Sequence, residues 1–139
     1  MLKFGYPDTL LREFDHWVVL LRPAQVTLGS LVLAAKSEAT AFSDLPQEAF
    51  SELANVVGII EAALRDFCEY ERINYLMLMM VDRQVHFHVI PRYSEPRQWN
   101  EVEFPDQGWP GPPQLKLAVE LPSQQMKALT EQLKPHFCS

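Results

Sequence analysis

The sequence predicts an α+β fold, in which a mainly antiparallel sheet carries one long helix on one of its faces. Extended segments occur before and after a single long amphipathic stretch, so few of them are separated by a helix-length crossover. The two segments after that stretch are joined by so short a connection that they are expected to pair as a hairpin. A second, shorter helical pattern ends the chain.

Three extended segments are predicted before the long helix. They cover residues 9–13, 17–21 and 26–35, and their content of β-branched and aromatic residues favours strands. The second is Trp-Val-Val-Leu-Leu and ends at Arg22-Pro23. The third is interrupted by Gly29.

The long helix is predicted from Pro46 to Glu69. Proline suits a first helical turn, where its missing N–H group is not needed. Apolar residues then recur at spacings of three and four, which predicts one stripe that packs on the sheet. The stripe consists of Phe50, Leu53, Val57, Ile60, Leu64 and Phe67.

Two further strands are predicted after this helix. The first covers residues 73–81 and is rich in methionine, which indicates a core or subunit-interface position. Asp82-Arg83 is predicted as a short turn, and the second strand covers residues 84–91, where Pro91 ends the pairing.

Residues 84–92 read Gln-Val-His-Phe-His-Val-Ile-Pro-Arg and hold two of the four histidines of the chain. Side chains two positions apart in a strand share a face, so His86 and His88 are expected to lie side by side. Val85, Phe87 and Val89 then point into the core. Arg83 and Arg92 are the nearest cations in the sequence.

A same-face histidine pair suits phosphate chemistry. A neutral imidazole can attack phosphorus if its other nitrogen is held as a donor, and a second histidine can bind phosphate oxygens or protonate the leaving group. Two other hypotheses remain open at this point. The pair could supply two ligands to a metal ion, although a third ligand is not evident, or it could be a surface pair without a chemical role.

Composition limits the function classes. The chain has 139 residues, which fits one domain, and a net charge of -6, which argues against general nucleic-acid binding. The two cysteines are too few and too far apart for a disulfide framework. Without a signal peptide or an apolar run long enough to span a bilayer, we expect a cytoplasmic protein with no membrane partner and no cofactor.

The composition changes at Ser94, after which an extension is predicted. Residues 105–113 contain four prolines and two glycines and are not expected to form regular structure. A last helix is predicted from Ser123 to Lys134, with Met126, Leu129 and Leu133 as its apolar stripe.

The stretch from Gln84 to Arg92 resembles the signature of the histidine triad (HIT) family, His-φ-His-φ-His-φ-φ, where φ is apolar. The order of the upstream segments is also similar, so the resemblance covers roughly residues 10–93. It implies a five-stranded antiparallel sheet, usually joined across a two-fold axis into a ten-stranded homodimer. It also implies hydrolysis or transfer of nucleotidyl groups, from a nucleotide or nucleotide conjugate, through a covalent nucleotidyl-histidine.

The resemblance assigns roles residue by residue. His86 falls on the nucleophile and His88 on the histidine that contacts the phosphate and the leaving group. The first motif histidine is replaced by Gln84, as in a bacterial-type variant, but its backbone carbonyl can still hold the tautomer of His86.

Further departures from the family pattern concern the substrate-binding set. Ser30 stands where many relatives have a histidine, and Arg22 stands where some have an asparagine near the ribose. The short Asp82-Arg83 connection replaces a longer Gly-rich loop, so Arg83 is expected to substitute for its phosphate contact. Together with Gln84 and Arg92, these residues form the expected substrate-binding set. The departures also leave open a nucleotide-binding or interaction protein with little catalysis.

Overall fold

The computed structural model describes residues 3–138. It confirms the α+β fold, and its elements are, in chain order, β1 (Leu10–Glu13), β2 (Trp17–Leu21), β3 (Ala24–Gln25), β4 (Leu31–Ala35), α1 (Gln47–Cys68), β5 (Arg72–Leu76), β6 (His86–Arg92), β7 (Arg97–Trp99), β8 (Val102–Phe104), β9 (Val119–Glu120) and α2 (Ser123–Phe137). Single 3₁₀ turns lie at Lys3–Gly5 and Phe42–Asp44.

The main sheet has five strands in the order β1-β2-β4-β6-β5, and all its pairs are antiparallel. The histidine strand β6 therefore lies between β4 and β5. In the register, His88 is opposite Val32 of β4 and Leu76 of β5, and His86 is opposite Ala34. Strand β5 is one edge of this sheet, which leaves its outer side unpaired within the part of the chain that the structure describes.

Helix α1 covers one face of the sheet, as predicted, and its bounds agree with the sequence within one residue. Pro46 stands at the N-cap, and Glu69 ends the helix in the left-handed region at φ 46°. The Trp17 indole donates to the carbonyl of Ala49 at 2.8 Å, which joins α1 to β2.

The set of α1 residues that is buried differs in part from the predicted apolar stripe. Ile60 and Leu64 are fully buried, but Phe50 and Phe67 are half-buried. Small side chains such as Ala49 allow the helix to approach the sheet closely, and the large rings then lie at the margins of the contact. The buried residues are Ala49, Val56, Ile60, Ala63, Leu64 and Cys68.

The opposite face of the sheet has an apolar layer of its own, formed by Val18, Leu20, Val32 and Ala34. Since opposed residues in a β pair point to the same side, this is the face that carries His86 and His88. Phe4, Tyr6 and Leu10 pack against the layer. The chain segment that precedes β1 therefore covers the histidine face, which the sequence had not indicated.

The predicted strand over residues 73–81 is wrong in its second half, because β5 ends at Leu76. Residues 77–85 form a loop, so the predicted short turn at Asp82-Arg83 is also wrong. The exposed fractions of Leu78, Met80 and Val81 are 46%, 83% and 87%. Nothing in the described chain covers these side chains. Their apolar character alone was therefore not enough to extend β5 and its pairing with β6.

The strand predicted over residues 26–35 begins only at Leu31. Residues 26–30 form a tight turn in which Gly29 has a φ of +92°, a value that glycine adopts without steric cost. The Gln25 amide oxygen accepts from the backbone N–H groups of Gly29 at 2.9 Å and Ser30 at 3.2 Å. The backbone N–H groups of the turn thus bond to a side chain and not to a neighbouring strand, and β4 starts only after them.

The extension beyond residue 94 packs on the rest of the chain. Residues 105–113 contain no helix or strand, as predicted. Helix α2 begins at Ser123 as predicted and runs to Phe137, past the predicted end at Lys134. It contacts β1 through Arg12, whose guanidinium donates to the Phe137 carbonyl at 2.7 Å. No helix within residues 3–138 is long and apolar enough to cross a membrane.

Candidate active site

His86 is held at the start of β6 by the end of the loop that precedes the strand. Its Nδ1 atom lies 2.7 Å from the backbone carbonyl oxygen of Gln84. A carbonyl oxygen can only accept, so Nδ1 carries the proton and Nε2 is left with the lone pair. This is the tautomer that a nucleophile needs.

His88 follows on the same face, and its ring is 5.1 Å from that of His86 in an edge-to-face arrangement. Its Nδ1 atom lies 3.4 Å from Nε of Arg22. Burial, then the charge of Arg22, then His86 lower the pKa of His88 to about 4. His88 is consequently neutral at pH 7.

Arg22 reaches His88 from the end of β2. Its Nη1 atom donates to the carbonyl of Ala24 at 2.5 Å, which leaves Nε directed toward the imidazole. The amide of Gln25 donates to the backbone carbonyl of Arg22 at 2.6 Å and to that of Ser30 at 2.9 Å. The turn over residues 22–30 therefore fixes the backbone from which Arg22 extends.

Phe4 covers both histidines. Its ring centroid is 5.4 Å from that of His86 and 6.4 Å from that of His88. The exposed fractions of His86 and His88 are 4% and 9%, so in this conformation the rings are closed off from solvent. The carbonyl of Phe4 accepts from the hydroxyl of Thr9 at 2.6 Å, which holds the covering segment against β1.

Gln84 and Arg83 occupy the end of the loop before β6. The Gln84 amide donates to the carbonyl of Ala35 at 2.5 Å, and its backbone N–H donates to the Asp82 carboxylate at 3.0 Å. The first bond ties the loop to β4, the second lies within the loop, and both help to place the Gln84 carbonyl that holds His86. Arg83 is exposed beside them.

Ser30 and Arg92 have other partners. Ser30 is fully buried, and its hydroxyl accepts from the Thr27 backbone N–H at 3.0 Å, so it cannot touch a substrate in this conformation. Arg92 shares the histidine face but stands four residues beyond His88, about 13 Å along the strand. It pairs with Asp106 at 2.7 Å and donates to Asn74 at 2.7 Å. Both residues thus support the structure around the site.

Three supporting residues were not identified from the sequence. Phe4 and Asp106 act from segments without a motif, and Gln25 acts through a turn that lay inside a predicted strand. A glutamine directly before a Gly-containing turn was the one local signal for Gln25. Within residues 3–138, no group of three or more His, Cys, Asp or Glu side chains is arranged to hold a metal ion.

The fold of the chain is similar to that of solved structures. A histidine triad protein from Marinobacter aquaeolei VT8 is 21% identical with a TM-score of 0.72, and the match covers 92% of this chain and 87% of that one. A hypothetical histidine triad nucleotide-binding protein from Sulfolobus tokodaii is 17% identical with a TM-score of 0.68, over 93% and 83% of the two chains.

The NitFhit protein of C. elegans is also similar, with 16% identity and a TM-score of 0.67 over 93% of this chain, which spans only 27% of that protein. No protein-family model and no curated protein sequence matches the chain. The architecture and the structural matches together define a protein with the histidine triad fold. The resemblance that residues 84–92 carry is thereby confirmed for the fold.

Proposed function

We propose that this protein is a nucleotidyl hydrolase or transferase that acts through a covalent nucleotidyl-histidine on His86. The observation that carries the proposal is the hydrogen bond from His86 Nδ1 to the Gln84 carbonyl, which leaves Nε2 free to attack. The nucleotide substrate is supported by the motif of residues 84–92 and by the similarity to the histidine triad nucleotide-binding protein of S. tokodaii.

The reaction proceeds in two steps. The lone pair of His86 Nε2 forms a bond to the α-phosphorus, while the bond from phosphorus to the leaving group breaks and its electron pair departs with that group. Water then attacks the same phosphorus and loses one proton to solvent, while the N–P bond breaks and its electron pair returns to Nε2. Nδ1 keeps its proton throughout and donates it in a hydrogen bond to the Gln84 carbonyl, so the cationic ring of the intermediate is stabilised by an acceptor.

Substrate recognition falls to the residues around the pair. Arg83 is exposed at the end of the 77–85 loop, where it can meet phosphate oxygens. Arg22 and Gln84 contribute by holding the histidines, and Ser30 and Arg92 by holding the surrounding backbone. The proposal also includes that the protein needs no cofactor and acts in the cytoplasm.

Turnover of a dinucleoside polyphosphate tests the proposal. We expect release of a nucleoside monophosphate, monitored by ion-exchange chromatography, at a rate that is linear in protein concentration. The second candidate function is nucleotide binding without catalysis, which the replacement of the first motif histidine by Gln84 favours. Calorimetric binding of a nucleoside monophosphate without any product after long incubation would establish that alternative.

The proposal includes a homodimer that pairs the free edge of β5 with a second copy. The loop after β5 exposes Leu78, Met80 and Val81, which such a contact would cover. Sedimentation equilibrium is expected to give twice the chain mass, and a monomer at micromolar concentration would contradict the dimer.

Substrate entry requires Phe4 to leave the histidine face. Phe4 has a φ of 63°, a region that costs a bulky residue free energy, which makes the closed position easier to abandon. Phe4→Ala is expected to speed the reaction of His86 and His88 with diethyl pyrocarbonate several-fold and to lower KM. Tyr70→Ala, an aromatic truncation by helix α1 on the other side of the sheet, is the control. Equal labelling rates in the wild type and Phe4→Ala would show that the ring does not gate the site.

A further inference from the structure

The two histidines of the site make contacts of opposite polarity. Nδ1 of His86 faces the Gln84 carbonyl oxygen, a group that can only accept, whereas Nδ1 of His88 faces Nε of Arg22, a group that can only donate. The neutral His86 ring therefore has its proton on Nδ1, and the neutral His88 ring has its proton on Nε2. One ring offers a lone pair to a ligand, and its neighbour offers an N–H donor.

We propose that Arg22 is a positioning residue that holds His88 as a neutral Nε2–H donor, and that the site in consequence takes nucleotide phosphoanhydrides in preference to phosphoramidates. The second part rests on the proposed function. The first part is a property of the folded protein with or without turnover.

The surroundings of His88 leave Arg22 as the dominant charge. Its neighbours across the ladder are Val32 on β4 and Leu76 on β5, and Phe4 covers it from above. Among residues 3–138, the charged or titratable groups that act on it are Arg22 and then His86. Burial opposes a positive charge on the ring most strongly, and the charged guanidinium 3.4 Å away acts in the same direction.

This protonation state limits what His88 can do for a leaving group. Its Nε2–H can donate a hydrogen bond, but transfer of that proton would leave an imidazolate anion. A phosphate leaving group departs from an anhydride as a stable anion, since its last pKa is about 6. An alkylamine leaving group needs a proton on nitrogen before the P–N bond breaks, because the conjugate acid has a pKa of about 10. A neutral His88 therefore suits cleavage of a phosphoanhydride and does not suit cleavage of a phosphoramidate.

The first test is the tautomer of His88 by long-range ¹H–¹⁵N NMR on the complete chain. In the wild type we expect the Nε2–H form at pH 7, persisting as the pH is lowered to about 5. Arg22→Met removes the donor and the charge, so the pKa of His88 is expected to rise by about one unit or more and the Nδ1–H form to become populated. Arg22→Lys keeps the charge and is expected to retain part of the pKa shift.

Arg65→Met is the matched control, because Arg65 is exposed on α1, on the other side of the sheet. A wild-type His88 that carries its proton on Nδ1, or that is an imidazolium at pH 7, would overturn the assignment without any variant. An unchanged His88 pKa in a folded Arg22→Met protein, equal to that in Arg65→Met, would overturn the role of Arg22.

The second test compares an anhydride and a phosphoramidate of the same nucleoside at pH 6. The wild type is expected to prefer the anhydride in kcat/KM, and Arg22→Met to narrow that preference by about tenfold or more as His88 becomes able to give a proton. A positioning role predicts a change in kcat with KM for the anhydride almost constant, whereas direct phosphate binding by Arg22 predicts a rise in KM. A wild-type preference for the phosphoramidate would refute the substrate class. If neither compound turns over, the proposed function fails, and the NMR result alone decides the role of Arg22.

Discussion

His86→Ala is expected to lower the turnover of a dinucleoside polyphosphate by roughly four orders of magnitude or more, because it removes the atom that forms the covalent intermediate. The neighbouring His88 cannot replace it, since its Nε2 atom carries a proton and its Nδ1 atom faces Arg22. Residual activity would come from binding and orientation alone. Initial rates over a range of substrate concentrations measure the loss.

His136→Ala is the matched control for the removal of a histidine. His136 lies on α2 and pairs with Asp66 of α1 at 2.7 Å, on the surface and away from the site. It is expected to retain wild-type turnover. His86→Ala loses one hydrogen bond at the start of β6, so its folding has to be checked. Circular dichroism is expected to show that both variants are folded. Turnover within tenfold of wild type in a folded His86→Ala protein would contradict the covalent mechanism.

Arg92→Met is expected to lower the free energy of unfolding by roughly 3–5 kcal/mol, because it leaves a buried carboxylate without its counter-ion. The side chains of Arg92 and Asp106 are 5% and 2% exposed, with 2.7 Å between Nε and Oδ2. The same guanidinium donates to the Gly111 carbonyl at 2.8 Å, so the change also releases residues 105–113 from β6. Urea unfolding monitored by tryptophan fluorescence measures the loss.

Two further proteins make this measurement specific. Lys36→Met breaks the Lys36–Glu13 pair, whose side chains are 35% and 48% exposed, and is expected to cost less than about 1 kcal/mol. The double variant Arg92→Met/Asp106→Leu removes both buried charges and is expected to recover part of the lost stability. An Arg92→Met protein as stable as Lys36→Met would show that the ion pair does not hold the extension.

Much of the fold was predictable from the sequence because its main elements have strong local signals. The apolar period of α1 and its terminal Pro46 gave the helix within one residue at each end, and Trp-Val-Val-Leu-Leu gave β2 without error. The loop over residues 77–85 was not predictable in this way. Its methionines and leucine are apolar residues that predict a buried strand from the sequence alone. Whether they are buried depends on whether other parts of the chain pack over them.

The histidine pair was predictable because strand alternation places residues two apart on one face. The contacts that the pair makes were not, because Arg22 and Phe4 are 66 and 84 residues from His88 in sequence. The family resemblance pointed to Arg22 only as a residue near the ribose, and nothing in the sequence pointed to Phe4. The partner of Arg92 was also not evident from the sequence, because Asp106 stands 14 residues further along the chain. The position of Arg92 beside the motif suggested a cation that is free to bind substrate. In the structure, the Asp106 carboxylate of the Pro-rich segment forms an ion pair with it.

Intact-protein mass spectrometry tests most directly whether a covalent intermediate forms on His86. The wild-type protein is mixed with a dinucleoside polyphosphate and quenched at alkaline pH, where the N–P bond survives. We expect an added mass of one nucleotidyl group, mapped by peptide fragmentation to His86 and absent from His86→Ala. Turnover without any such adduct, or an adduct that maps to His88, would contradict the covalent mechanism on His86.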